Sequence, residues 1–333
     1  MGRSLGWFVG LSLLAASCGT RADDAEAVES ALTAPSNPAT VPSIPIGKTM
    51  APSGNLMDSA CVFEVPNGAI VDANGNVIVN GSIVDHHTPC TPEQMGSASP
   101  ASGTIGVVPP AFNGWADYSW ANATYIDGLA YYNGLFANWT VPNNPTDPYY
   151  QIVYLFPSFE SSNEIIQPVL QWGNNGSFGG QWWTIASWYV SGSSGTHSPP
   201  LKVYAGDSLL GQITIADSVT KGQYEIITTD QTQGGEYTYL YTNTSHPMTS
   251  VQGGVLEEYN MTTCTQNPSS WPVTFSNIEV WQAGPGSDSF NLVVPSWAFN
   301  QGSGLLNCAY GGSVYNDGGS RNYLSTTTIS YVN

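Results

Sequence analysis

The stretch Tyr150-Gln151-Ile152-Val153-Tyr154-Leu155 decides the fold. Its apolar and polar side chains alternate, with lapses, at the period of a strand that lays one face on a core. The same period returns in Leu201 to Tyr204, Gln212 to Ile215 and Tyr237 to Tyr241, and helical periodicity is nearly absent. From 112 to 333, β-branched and aromatic residues gather in short runs separated by Gly, Pro, Asn and Asp. This reads as an all-β domain over 111–333. The economical way to bury one face of each strand is an antiparallel two-sheet β-sandwich, a lectin-like jelly roll. No fixed-period repeat is present, which excludes a propeller or solenoid.

Composition sets the outer limits. With 333 residues, 41% of them hydrophobic, the chain can bury a substantial core as one main domain. Lys and Arg number 6 against 24 Asp and Glu, a formal charge of −18, so polyanions are repelled and nucleic acid is excluded as a partner. Few ion pairs are lost when carboxylates protonate, and protonation relieves the self-repulsion, so the composition tolerates acid. The plainer reading is that low charge with many small polar and aromatic residues is common to exported β proteins.

The N-terminus reads as a targeting segment, 1–18. Arg3 is the positive n-region, Leu5 to Ala16 the apolar run, and Ala15-Ala16-Ser17 a small-residue cleavage site. Cys18 follows directly, as in a bacterial lipobox, with Leu14 one position further away than usual; an ordinary cleaved signal peptide is the alternative. The expectation is an exported chain, at the outer membrane or cell surface through a lipid at Cys18 or else secreted, touching membrane only there and acting as a monomer. Residues 19–58 read as a flexible linker and 93–110 as a second one. Between them, 59–92 holds Asn74-Gly75 between two apolar runs, a hairpin signal for a small β unit or propeptide-like segment. Cys61, Cys90, Cys264 and Cys308 form an even set in an exported chain; of the three possible connectivities, the sequential pairing is the one expected. The cysteine spacings and the four histidines match no metal motif, so neither metal nor organic cofactor is expected.

An ordered series of segments carries the functional reading: GLFANWTVP (134 to 142), QPVLQWG (167 to 173), WTIASWY (183 to 189), VYAGDSLLGQITI (203 to 215), GVLEEYN (254 to 260) and VTFSN (273 to 277). From about Trp115 to Trp281 the series resembles the glutamic peptidases, the eqolisin group of acid proteases. GLFANWTVP is similar to that family's EFTVP-like strand and Val169-Leu170-Gln171-Trp172-Gly173 to its ILQTG-like strand. Ser187-Trp188-Tyr189 and Ala205-Gly206-Asp207 follow in the family's order. The resemblance implies a sandwich of two curved antiparallel sheets and an endopeptidase acting on polypeptides at acid pH. It implies that Gln171 supplies amide donors to a water and to the developing oxyanion, while a glutamate takes and returns a proton. Glu160, Trp172, Trp188 and Tyr189 would line the substrate cleft.

The glutamate strand departs from the pattern. The family's AEWIVE-like strand carries two glutamates four residues apart, whereas this chain reads Gln252-Gly253-Gly254-Val255-Leu256-Glu257-Glu258-Tyr259. Placing Glu257 or Glu258 on the second glutamate puts glycine at the catalytic position and implies a dead enzyme. Placing Glu257 on the first restores the base and shortens the following loop. Glu257 is therefore the expected base and Glu258 the alternate; alternation allows only one to face Gln171. Other readings use different residues. Glu160 and Glu164 could pair for glycoside hydrolysis. Trp182-Trp183 and Tyr131-Tyr132 could stack sugars in a carbohydrate-binding protein. An inactive surface lipoprotein is a third possibility. Gly206-Asp207-Ser208-Leu209 spells an esterase string without its helical setting, and the sequons at Asn122, Asn138, Asn243 and Asn260 carry no weight in a bacterial lipoprotein.

Overall fold

The computed structural model describes residues 44–72, 74–88, 90–91, 112–123, 131–192, 194–216, 222–283, 290–317 and 323–332. The targeting segment, Cys18 and the whole of the 93–110 linker lie outside them. Residues 1–40 and 41–333 are separate units, and only the second is described here.

Two large sheets make up this unit, and the fold is the expected β-sandwich. The first has nine strands, and its centre runs Phe112–Asn122, Ser250–Met261, Ile152–Glu160, Glu164–Trp172 and Trp183–Ser191, each antiparallel to the next. The second has eleven, with Val273–Ala283, Tyr131–Thr140, Ser208–Ile215, Gln223–Asp230 and Glu236–Asn243 at its centre. The only helical turns among the described residues are two short 3-10 segments, Ser59–Cys61 and Cys264–Gln266.

The sandwich core joins both sheets: Leu155, Leu170 and Ile185 from the first meet Leu135, Ile213, Ile226 and Leu240 from the second. In the second sheet the alternation is clean, buried and half-buried residues taking turns along Gln223–Asp230. In the first sheet all nine residues of Glu164–Trp172 are buried. The lapses of alternation in 150–155 have this cause. The central strands of the first sheet are covered on both faces, so polar spacing is not required there. Ile152, Tyr154, Phe156, Val169, Ala186, Trp188 and Val255 pack on its outer face, away from the second sheet, against Met50, Ala51 and Met57.

The cover on that outer face is a departure from the sequence reading. The linker expected to run to residue 58 instead contains a hairpin, Lys48–Met50 paired with Leu56–Asp58. Likewise 59–92 does not form a core of its own. Its strand Val62–Glu64 joins the edge of the first sheet, and Ile70–Val71, Asn76–Val79 and Ser82–His86 extend the second. Val65, Ala69, Val71 and Val77 are too few to bury one another and are absorbed into the sandwich core. The turn expected at Asn74-Gly75 is present: Gly75 has φ +80 and a Cβ there would lie 2.1 Å from the His87 carbonyl oxygen. Both disulfides follow the sequential pairing, with Cα separations of 5.7 Å for Cys61–Cys90 and 5.3 Å for Cys264–Cys308. Among the described residues no helix is long and apolar enough to cross a membrane.

Candidate functional site

Register sets the two expected residues in one row of the first sheet. Gln171 is paired with Tyr154 on the neighbouring strand, and Tyr154 with Glu257 on the next, so the three form one row across the first sheet. Tyr154 packs on the outer face, and directly paired residues share a face. Two strand spacings put the backbones of Gln171 and Glu257 about 10 Å apart.

The glycines of the glutamate strand explain why Glu257 holds that position. Gln252 is paired with Ser158, but Val255 with Phe156, so the register shifts by one residue across Gly253-Gly254. Without this bulge Leu256 would stand opposite Tyr154. Neither glycine has room for a side chain: a Cβ on Gly254 would lie 2.4 Å from the Phe275 ring and one on Gly253 2.9 Å from Ser119 Oγ. The residues that break the family's pattern thus turn Glu257 toward the row.

The hairpin 48–58 lies over the row. Tyr154 Oη donates to the Met50 carbonyl at 2.6 Å. Gln167 Nε2 donates to the Pro52 carbonyl at 2.7 Å. The Ser53 N–H donates to both carboxyl oxygens of Glu257, at 3.0 Å each. The Met50 N–H donates to Asn175 O at 2.8 Å, fixing the hairpin to the loop 173–180. Gly176 in that loop, φ +96, sits so close to Lys48 that a Cβ would meet its carbonyl oxygen at 2.1 Å. The outer face therefore already holds a peptide segment by its backbone C=O and N–H groups.

Glu257 is fully buried under this cover. Burial pushes its carboxyl up to about 8, while donors from the Tyr259 hydroxyl, Ser53, Gly54 and Trp115 pull the other way. Below that pH it keeps its proton while the hairpin is seated. Gln171 is also fully buried, but its amide serves the loop: Nε2 donates to Gly173 O at 2.9 Å and Phe178 O at 3.2 Å, and Oε1 accepts from Asn175 Nδ2 at 3.2 Å.

The other expected residues divide by face. Glu258 points the opposite way from Glu257. It is buried beside Tyr310, whose hydroxyl donates to Oε2 at 2.6 Å, and burial pushes its carboxyl up to about 8, with Asp117 adding in the same direction. Trp172 is not a cleft residue: adjacent to Gln171, it must face the other way, and its ring sits in the sandwich core 5.3 Å from that of Trp183. Tyr189 likewise faces away and donates to Glu164 Oε1 at 2.7 Å. Trp188 does lie on the outer face, paired with Gln167 and packed 4.6 Å from the His197 ring. Glu160 stands at the end of the same face, accepting from Gln252 Nε2 at 2.9 Å, and burial raises its carboxyl. Glu164 sits on the other face from Glu160. Burial would raise it, but donors from Ser245, Tyr189 and His246 bring it below its ordinary value. The two carboxylates therefore do not converge as a glycosidase pair. The sequence reading missed Tyr154, Gln167 and Tyr259; the even spacings of Gln167 from Gln171 and of Tyr259 from Glu257 were a signal for two of them, whereas Tyr154 joins them only through strand register.

Among the described residues no group of three or more His, Cys, Asp or Glu is placed to hold a metal ion. No protein-family model matches the chain, and no curated protein does. Among solved structures it is similar to scytalido-glutamic peptidase bound to a peptide-based transition state analog, at 15% identity over 67% of this chain and 100% of that one, with a TM-score of 0.41. It is similar to SCP-B, a member of the eqolisin family of peptidases in complex with the tripeptide Ala-Ile-His, at 15% identity over 67% and 100%, TM-score 0.39. The CBM2 module of the Lactobacillus casei BL23 phage J-1 evolved Dit gives 11% identity over 47% and 72%, TM-score 0.32. All are distant likenesses.

Proposed function

We propose that the chain is an exported, Cys18-anchored endopeptidase that hydrolyses peptide bonds on the outer face of the first sheet, with Glu257 as the proton-transfer group and Gln171 as an amide donor. The observation that carries this reading is the row Gln171, Tyr154, Glu257 on a face that holds a peptide segment of the chain itself. In the reaction, ionised Glu257 takes a proton from water as the water oxygen bonds to the substrate carbonyl carbon. The tetrahedral oxyanion is held by amide donors. Glu257 then returns the proton to the nitrogen as the C–N bond breaks, leaving a carboxylic acid and an amine. Withdrawal of the hairpin is required first, because it occupies Glu257 and keeps the carboxyl protonated. Once water reaches Glu257, its carboxyl titrates in the ordinary acidic range, which sets activity at acid pH. Withdrawal also breaks the Met50–Asn175 contact and frees the loop that engages Gln171.

The carbohydrate reading has less support. Trp182 is exposed, but Lys202 Nζ lies 5.5 Å from both the Trp182 and Tyr204 ring centroids, over faces a sugar would stack on.

The test is hydrolysis of denatured casein from pH 2 to 7, with pepstatin and EDTA present. Ser53→Pro opens the site: it removes the N–H held by Glu257 and cannot adopt the observed φ of 120. Acid activity in the Ser53→Pro chain, lost in Glu257→Ala and reduced at least ~100-fold in Gln171→Ala, is the expected result. Equal activity with and without Glu257 rejects the reading.

A further inference from the structure

Gln167 precedes Gln171 by two turns of the strand's alternation, so both face outward. It is fully buried, its Nε2 donates to the Pro52 carbonyl at 2.7 Å, and its Oε1 has no protein partner. The N–H of the next residue, Ser53, is the one held by the Glu257 carboxyl. These contacts grip the two ends of a single peptide bond. A trans amide points its C=O and N–H in opposite directions, so Gln167 and Glu257 clamp the Pro52–Ser53 unit from opposite sides. A buried amide that leaves its oxygen unpaired is an unfavourable choice for packing alone, where an apolar side chain of the same size would serve.

We infer that Gln167 is the carbonyl-binding catalytic residue of the cleft, and that the Pro52–Ser53 peptide bond occupies the position of a substrate bond. This rests on the peptidase reading of Glu257. Gln167 donates hydrogen bonds only: as the water oxygen bonds to the carbonyl carbon, the carbonyl oxygen gains charge and the Gln167 N–H groups stabilise it. Proton transfer stays with water, Glu257 and the departing amine. Gln171, whose amide hydrogens lie on the 173–180 loop while the hairpin is seated, is the second amide donor once that loop is freed.

Gln167→Met tests this, because it conserves volume, removes both donors and leaves the Pro52 carbonyl without the Gln167 amide. In the Ser53→Pro chain acting on denatured casein at pH 4, Gln167→Met is expected to lower kcat ~100- to 1000-fold with little change in KM, the loss of an oxyanion donor. A kcat within about threefold of the Ser53→Pro chain, with Glu257→Gln inactive, overturns the Gln167 assignment and leaves the peptidase reading standing. Absence of hydrolysis from the Ser53→Pro chain overturns both. Hydrogen exchange at the Ser53 amide of the otherwise unmodified chain gives a readout free of turnover. Exchange at least ~10-fold faster in Gln167→Met is the expected release of the clamp; an unchanged rate rejects it.

Discussion

Glu257 and Glu258 are chemically identical neighbours, yet alternation sends one toward Tyr154 and the other toward Tyr310. The sequence limited the choice to one of them, and the Gly253-Gly254 bulge made it. For Glu257 the carboxyl is raised to about 8 by burial, well above the unfolded value. A raised carboxyl contributes its full stability below the unfolded range of about 4 and loses it as pH rises toward 8. Glu257→Gln removes that titration. The variant is expected to match the parent in thermal stability at pH 4 and to exceed it at pH 8, on the order of a few kcal/mol. Parallel melting curves at the two pH values check this.

At the level of elements, strand existence was legible because side chains on a half-covered sheet must alternate, and the second sheet obeys that rule. Register was not legible. A one-residue shift in Ser250–Met261 moves every side chain to the other face, and nothing in composition announces it. The glycines carried the information in disguise: they look like gaps in a glutamate motif and act as the bulge that aims Glu257. Gly254→Ala puts a methyl group against the Phe275 ring, within 2.4 Å before relaxation. The expected outcome is a loss of ~1 to 3 kcal/mol in denaturant midpoint analysis, and loss of hydrolysis beyond that fraction unfolded. The hairpin 48–58 was hidden for a different reason. Its strands are three residues each and are stable only against the outer face, so no local period marks them.

For the whole molecule, the sandwich was readable from patterning and the number of disulfides from cysteine parity, whereas parity left three connectivities open and the covering of the first sheet on both faces was not readable. That covering buries carboxyls on each side of it. Asp117 is raised to about 7 and Glu257 and Glu258 to about 8, all by burial first. Each contributes stability present below about 4 and lost on raising pH through 7 to 8. Glu164 is lowered and acts oppositely, losing its contribution as pH falls. Burial also raises Glu160 and Asp230, while the lowered Asp72, Asp85 and His197 act in the same sense as Glu164. With the three large raises and a formal charge of −18, melting temperature is expected to be higher at pH 4.5 than at pH 8. At pH 8 it should rise with added salt, as screening relieves the self-repulsion; scanning calorimetry in both buffers decides the point. The most direct test of the peptidase account is the release of new α-amino groups from denatured casein at pH 4 by the Ser53→Pro chain and by the same chain carrying Glu257→Gln. The account predicts steady release by the first and none by the second. Equal release from both, or release from neither, contradicts it.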